Sequence, residues 1–281
     1  MTWMKDVKDM KKRMSVFLFV ACLILPYGCA SRENNTMNST LWVHTSAEYV
    51  ANSLQTYSAA RKNVDPALKD RSWTAALEQT GDFSSLPAAV VMDIDQTVLD
   101  NSTYEARLVV DGAEWSPDTW DEWVALKRAS AVPGAVDFIR YIRERRIKAL
   151  FVTNRECRRR GGEGPSCPQE RDTIDNLAEI GITGVEPEDI LLKNEQPGWS
   201  SEKTSRRQSI VAGYRVLMLF GDDLGDFMPG VKKGITPAER CERVRRHRDD
   251  WGLKWYMLSN PMYGSWLNVL EKPGSKWLLG K

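Results

Sequence analysis

Histidine is nearly missing from this chain. Its 281 residues hold two, His44 and His247. That excludes a three-histidine metal centre and leaves little for a histidine-relay enzyme. Cysteine is scarce as well: five residues are too few for a scaffold built on disulfides. Neither sign of charge dominates, since 39 Lys and Arg against 38 Asp and Glu leave a formal +1. A nucleic-acid polymer held by bulk electrostatics is therefore not the expected partner. The apolar run Val16 to Leu25 has ten residues, about half of a membrane-spanning helix. No repeat or low-complexity tract is visible. What is present is an ordinary globular balance, 42% hydrophobic and 27% charged, with a high count of 11 Trp. The length fits one or two domains at roughly 150 residues each.

The basic cluster Lys11-Lys12-Arg13, followed by that short apolar run, has the order of a secretory signal. The run ends Leu25-Pro26-Tyr27-Gly28-Cys29, which resembles the bacterial lipoprotein signal with Cys29 lipidated. Residues 1–29 are thus expected to be an export signal, and membrane contact to come through the lipid anchor only. The alternative is a signal cleaved elsewhere and a chance cysteine. Ala30 and Ser31 follow; in a two-membrane bacterium, the absence of Asp there implies the outer membrane, with the periplasm as the other destination. The polar residues of 30–41 predict a flexible tether.

Thr45-x-x-Glu48 is a capping-box pattern, with Tyr49, Val50, Leu54 and Tyr57 at helical spacing behind it. Asp65-Pro66 predicts the start of a second helix. Residues 42–85 therefore form a helical N-terminal segment. From Leu86 five short apolar runs appear: Ala88–Met92, Ala149–Val152, Ile190–Leu192, Val216–Phe220 and Trp255–Leu258. Helical patterns lie between them at Ala135–Arg145, Gln169–Ile180, Ser200–Ala212 and Pro237–Asp249. This alternation predicts an α/β fold, a Rossmann-like parallel sheet with helices on both faces, over residues 86–270. The long interval after the first strand predicts a small inserted cap at about 101–132. Residues 271–281 form a C-terminal tail.

In such sheets ligands bind at the carboxyl ends of the strands. The first run ends Asp93-Ile94-Asp95-Gln96-Thr97, the second Thr153-Asn154-Arg155, the third Lys193, and the fourth Gly221-Asp222-Asp223-Leu224-Gly225-Asp226. Converging carboxylates repel one another unless a cation sits among them. Oxygen ligands without His or Cys point to a hard ion, Mg²⁺. An acidic pocket with Mg²⁺, a Thr and a Lys suits phosphoryl transfer. Asp-x-Asp-x-Thr alone is weak, because Asp is common at strand ends. Both motifs in order, each behind a buried strand with Thr153 between them, form a specific signal.

These residues resemble the haloacid dehalogenase superfamily, and within it the class C acid phosphatases (subfamily IIIB), the lipoprotein 5′-nucleotidase type. Val91-Met92-Asp93-Ile94-Asp95-Gln96-Thr97-Val98-Leu99 through Asn101 and Tyr104 resembles the family's first signature, and Leu217 to Phe227 its second. Pro133-Gly134-Ala135, Thr153-Asn154-Arg155 and Asn260 to Trp266 are further landmarks. Gln96 stands where the family has Glu, and Asp223 where it has Asn or Thr.

The resemblance implies a Mg²⁺-dependent acid phosphatase acting on small phosphomonoesters, nucleoside 5′-monophosphates above all, and a homodimer. Asp93 would be the nucleophile and form an aspartyl-phosphate. Asp95 would protonate the leaving group and then deprotonate water. Asp93, the Asp95 carbonyl and Asp222 would hold the metal, with Asp226 orienting a metal-bound water. Thr153 would contact the phosphoryl group, and Asn154 and Arg155 the substrate. Lys203 and Lys193 compete to neutralise the phosphoryl group, and the family pattern favours Lys203. Arg206 and Arg207 read as an exposed basic helix face, or one of them as the partner of an acid near the site. Tyr104 and the cap tryptophans Trp115, Trp120 and Trp123 either stack on the leaving group or pack the cap onto the core. In an oxidising compartment Cys157 and Cys167 would form a disulfide, leaving Cys241 as a buried thiol. Arg158-Arg159-Arg160 between them reads as solvated charge or an anion lure. The rival readings are another phosphotransferase of the superfamily and a non-catalytic surface lipoprotein on this fold. A dehalogenase would not need Asp95, and a retired enzyme would have lost Asp93.

Overall fold

The structure, a computed structural model, describes residues 36–162, 164–270 and Trp277. The expected signal, Cys29, most of the tether and the tail lie outside the described residues, apart from Trp277. The chain forms two compact units, 1–37 and 38–281. Only Thr36 and Met37 of the first are described.

The second unit is built on a five-stranded parallel sheet. Its strands are β1 (Ala88–Met92), β4 (Lys148–Glu156), β5 (Ile190–Lys193), β6 (Arg215–Gly221) and β7 (Trp255–Met257). They lie in the order β5-β4-β1-β6-β7, so β1 is central. Successive residues of a strand point to opposite faces, and both faces here are apolar. Val90 and Met92 join Phe151, Phe220, Tyr57, Phe138 and Leu177 on one side. Ala89 and Val91 join Leu150, Val152, Leu219, Ile210, Phe227 and Trp255 on the other. The first face is covered by α2 (Ala47–Lys69), α5 (Ala135–Glu144) and α6 (Pro168–Glu179), the second by α7 (Thr204–Val211) and the 224–231 segment. This is the doubly covered sheet that the unbroken apolar runs require. Tyr57 stacks on Phe220 at 5.3 Å between ring centroids, and its hydroxyl donates to the Thr97 carbonyl at 2.6 Å. Helix α2 is thereby tied to the turn that follows β1.

The interval after β1 holds a two-stranded ribbon, β2 (Leu99–Asp100) with β3 (Ser130–Ala131), and two helices, α3 (Ser102–Asp111) and α4 (Pro117–Leu126). A further helix, α8 (Pro237–Arg246), buries none of its residues and precedes β7. α9 (Ser265–Asn268) closes the described core. Among the described residues no helix is long and apolar enough to cross a membrane.

Three local expectations are corrected. Helix α1 (Met37–Thr45) occupies the end of the stretch read as tether, with Thr40 and Val43 buried. Thr45 ends that helix, and Ser46 is the cap of α2, its hydroxyl accepting from the Tyr49 amide at 3.1 Å. Pro66 starts no new helix: α2 runs through it to Lys69. The Lys62 carbonyl loses its helical partner there. Val64 and Ala67, fully buried on either side, supply apolar packing that outweighs the lost bond.

Candidate active site

The carboxyl edge of the sheet brings the acids together. β1 delivers Asp93, whose amide still bonds the Phe220 carbonyl at 2.9 Å. The chain then turns at Ile94, whose carbonyl accepts from the amides of Thr97, Val98 and Leu99. Gln96 takes a left-handed φ of 56°. Because of this turn Asp93 and Asp95 diverge: Asp93 meets Lys203, and Asp95 meets Arg155.

β6 delivers Asp222, and the short turn after it returns Asp226. Oxygens of Asp93, Asp222 and Asp226 lie within 4.8 Å of one another. Gly221 is needed for this approach, since a Cβ there would sit 2.1 Å from an Asp226 carboxylate oxygen. Lys203 bridges Asp93 and Asp226, at 2.6 Å from Asp226 Oδ1. It sits one residue before α7, and helical spacing carries Arg206, Arg207 and Ile210 inward with it. Lys193, its competitor, pairs instead with Glu156 at 3.5 Å.

Electrostatics follow from burial. Burial pushes the Asp93 carboxyl up to about 7; Lys203 opposes this, and Asp226 and Asp95 add to it. Asp222 is driven well above the carboxylate range by burial and then by Asp93 and Asp226, with the Asn260 amide opposing. Burial works against the Lys203 ammonium, but Asp226 and Asp93 outweigh it and raise its pKa. Three close carboxylates facing one ammonium are an unbalanced set of hard oxygen donors. They fit a divalent cation of the Mg²⁺ kind.

The structure places the remaining candidates as follows. Thr153 is fully buried beside Asp95, its hydroxyl donating across a long 3.4 Å to Asp95 Oδ2. Asn154 is exposed, its amide oxygen accepting from Arg206 at 2.7 Å. Arg155 is not presented to a ligand: it is buried, and its donors go to Asp95 and Thr173. Tyr104 offers no stacking face either. It is buried, edge-on to Trp120 at 5.2 Å, with its hydroxyl 2.9 Å from Thr119. Trp120 is half-buried and packs on the core, Trp123 is buried, and Trp115 is exposed.

Arg206 and Arg207 do not form an exposed face. Arg206 donates to the Thr153, Leu191 and Ser200 carbonyls. Arg207 pairs with Glu78 at 2.6 Å and donates to the Asp226 carbonyl at 2.8 Å. The signal was available in the i, i+3, i+4 spacing from Lys203, because a helix that turns Lys203 inward turns both arginines with it. Asn260, which donates to Asp222 at 2.7 Å, carried no sequence signal beyond its place in a family landmark. Asp223, the other departure from the family pattern, accepts from the Gly225 amide and from the Ser265 amide and hydroxyl, and so anchors the 260–266 segment.

Cys157 and Cys167 are bonded. Of the arginines between them, Arg159 is exposed as solvated charge, its guanidinium donating to the Gly164 carbonyl, whereas the other two are committed to acids. Arg158 pairs with Asp118 at 2.8 Å, and Arg160 with Asp121 at 2.7 Å and with Asp172. They clamp α4 of the cap to α6. Cys241 is exposed rather than buried, because α8 lies on the surface.

A parallel sheet with an aspartate-bearing turn behind its central strand and an acidic pair behind the next is the arrangement of an α/β enzyme of the phosphoryl-transfer kind. The chain belongs to subfamily IIIB of the HAD superfamily, the acid phosphatases, whose family model matches residues 13–266. It is a phosphomonoesterase. It is similar to the class C acid phosphatase from Bacillus anthracis: 28% identity, TM-score 0.67, with 85% of this chain and 91% of that chain covered. A second structure of that enzyme, with tungstate bound, matches at 27% identity and TM-score 0.70, covering 88% and 94%.

Proposed function

We propose that this protein is an exported, Mg²⁺-dependent acid phosphatase that hydrolyses small phosphomonoesters, nucleoside 5′-monophosphates among them, through an aspartyl-phosphate. One observation carries this reading: a buried Asp93 carboxylate held against Lys203, with Asp222 and Asp226 oxygens within 4.8 Å. Tungstate in the Bacillus anthracis enzyme is a tetrahedral oxyanion like phosphate, which supports a phosphoryl site in the corresponding place here.

Asp93 attacks the phosphorus, and the ester bond to the leaving oxygen breaks. Asp95 gives that oxygen a proton, then takes one from the water that cleaves the aspartyl-phosphate. Thr153 keeps a weakly committed hydroxyl for a phosphoryl oxygen. Lys203 holds Asp93 in place and neutralises the transferring group. Asp93, the Asp95 carbonyl and Asp222 would hold Mg²⁺, with Asp226 beside it, and the ion would supply charge neutralisation for the phosphoryl oxygens. In the proposal the mature chain is anchored by a lipid at Cys29 in the outer membrane or released in the periplasm, and it pairs as a homodimer.

The test is hydrolysis of p-nitrophenyl phosphate by protein lacking residues 1–29, with Mg²⁺ and with EDTA, beside Asp93→Asn. Activity lost in EDTA and in the variant is expected. Turnover that survives Asp93→Asn would sink the aspartyl-phosphate route. Comparing a nucleoside 5′-monophosphate with glycerol phosphate then tests the substrate class.

A further inference from the structure

Asp95 is held unequally. Its Oδ1 accepts from Arg155 Nη2 at 2.8 Å, Arg155 Nε at 3.1 Å and Asn101 Nδ2 at 2.9 Å. Its Oδ2 shares the Arg155 Nε–H, at 3.2 Å, and otherwise has only a long 3.4 Å contact from Thr153 Oγ1. Hydrogen bonds weaken steeply over that range and with poor alignment. Oδ1 therefore carries the larger share of the bonds, and Oδ2, with one shared bond, keeps acceptor capacity on the side where Thr153 stands.

The two residues that grip Oδ1 are themselves fixed from opposite sides of the site. Arg155 is 1% exposed. Its Nη1 donates to Thr173 Oγ1 at 3.1 Å, and Thr173 in turn donates to the Gln169 carbonyl within α6. Asn101 is fully buried. Its amide oxygen accepts from Trp123 Nε1 at 2.7 Å, which sets the orientation of the amide and turns its NH₂ toward Asp95. Its backbone amide donates to Gln96 Oε1 at 2.5 Å. The cap, through Trp123 of α4, and the core, through α6, converge on a single carboxylate oxygen.

We infer that Arg155 and Asn101 are positioning residues for proton transfer: they anchor Asp95 by Oδ1 and leave Oδ2 as the atom that delivers and recovers the proton. This rests on the role given to Asp95 under the proposed function. In the first step Asp93 forms the new P–O bond, the bond to the leaving oxygen breaks, and the proton on Oδ2 passes to that oxygen. In the second step a water gives its proton to Oδ2 as it attacks phosphorus, and the Asp93 carboxylate is released with phosphate. Both transfers need the same atom at the same place, which a carboxylate free to rotate would not provide. The inference also gives Trp123 a task beyond packing, since its N–H decides which way Asn101 faces.

The test exploits the leaving group. p-Nitrophenolate departs with little help from a proton, whereas the alkoxide of glycerol phosphate needs one. kcat/KM reports the steps up to loss of the leaving group, so a misplaced proton donor penalises the alkyl ester selectively. For Arg155→Met we expect kcat/KM to fall about 100-fold on glycerol phosphate and about tenfold on p-nitrophenyl phosphate, within the usual span of general acid catalysis. Arg155→Lys, which keeps a cation but not the two-pronged grip, and Trp123→Phe, which keeps the packing but not the donor, are expected to show the same selectivity at roughly two- to fivefold. These two milder variants decide the matter if Arg155→Met does not fold. Equal losses on the two esters in every folded variant would overturn the inference and leave Arg155 a structural residue. Failure of the underlying reading looks different: the unmodified protein would hydrolyse neither ester, or Asp93→Asn would remain active.

Discussion

Two clusters of charge lie within this unit, and they follow opposite rules. Beneath the sheet edge Asp93, Asp226, Lys203 and Arg207 are almost wholly buried, with Asp222 beside them. At the rim Arg158, Arg160, Lys127, Asp121 and Asp172 join the cap to α6 with their cations about 30% exposed. The rim cluster is balanced locally, each partly exposed cation meeting an acid, with Asp121 and Asp172 buried beneath them. The edge cluster gathers three carboxylates around one ammonium. Desolvation makes such a set expensive, and packing does not require it. Under the proposed function the imbalance is the reason the fold keeps it, as a socket for a cation and a phosphoryl group. Charge at the rim joins elements; charge at the edge is held under tension for chemistry.

The sharpest way to break this comparison is Asp222→Asn. Activity is expected to fall on the order of 10³-fold with loss of the metal. Stability in EDTA should rise instead, because a carboxyl driven up by burial and by Asp93 and Asp226 has become neutral. Thermal unfolding with and without Mg²⁺ checks both: the unmodified protein should gain about 3 kcal/mol at a hundredfold excess of Mg²⁺ over its Kd, and the variant should gain almost nothing. If the variant is less stable in EDTA, the acids were not under tension.

Lys203→Met removes the cation that, among the described residues, bridges Asp93 and Asp226. Breaking a buried pair costs about 3–5 kcal/mol, so urea unfolding in EDTA should show a loss of that size, partly restored by Mg²⁺. A loss below about 1 kcal/mol would put this pair in the same class as surface ion pairs.

Glu105 separates burial from pairing. It is buried on the first turn of α3, and among the described residues no hydrogen bond or ion pair is formed by its carboxylate. Burial raises it from 4.5 to about 7. Its contribution to stability is present below pH 4.5 and is lost as pH rises through about 7, because the unfolded chain ionises first. The loss amounts to about 2–3 kcal/mol by pH 8. Glu105→Gln should therefore raise the Tm at pH 8 and leave it unchanged near pH 4. Equal shifts at both pH values would show that the side chain acts through packing alone.

The rim should respond least. Arg160→Met loses a two-pronged contact to Asp121 and a bond to Asp172 and should cost about 1–2 kcal/mol. Asp118→Asn, at a position 83% exposed, should cost less than about 0.5 kcal/mol. Denaturant midpoints separate the two, and Asp118→Asn matching Arg160→Met would show that the clamp works as a unit.

Much of the fold was legible because its signals are local. The apolar runs of β1, β5, β6 and β7 fall within a residue or so of the observed strands, since a strand covered on both faces has to be apolar throughout. Asp93, Asp95, Thr153 and Asp222 could be singled out as candidates because each stands within three residues of the end of such a run. The errors share one cause. Arg206, Arg207 and Arg155 looked like surface or ligand-facing charge because partners such as the Thr153 carbonyl, Glu78, the Asp226 carbonyl and Asp95 are between 19 and 129 residues away. Tyr104 and Trp120 looked available for stacking because nothing local shows that they pack on each other edge-on. The cap of α2 was displaced by one residue because Thr45 and Ser46 are both good caps, and α1, ending at Thr45, decides between them.

By itself the sequence determined where the chain is apolar enough to be a buried strand, which polar residues end those strands, and therefore which side chains stand at one edge of the sheet. Backbone periodicity and solvent do that work within a few residues. Tertiary structure decided which acid meets which cation: Lys203, as the family pattern favoured, rather than Lys193 beside Asp93, and, with no sequence signal, Arg155 on Asp95 and Arg160 on the cap. Those pairings are strong only where water is excluded, and water is excluded only once the sheet, the cap and α7 have closed around them.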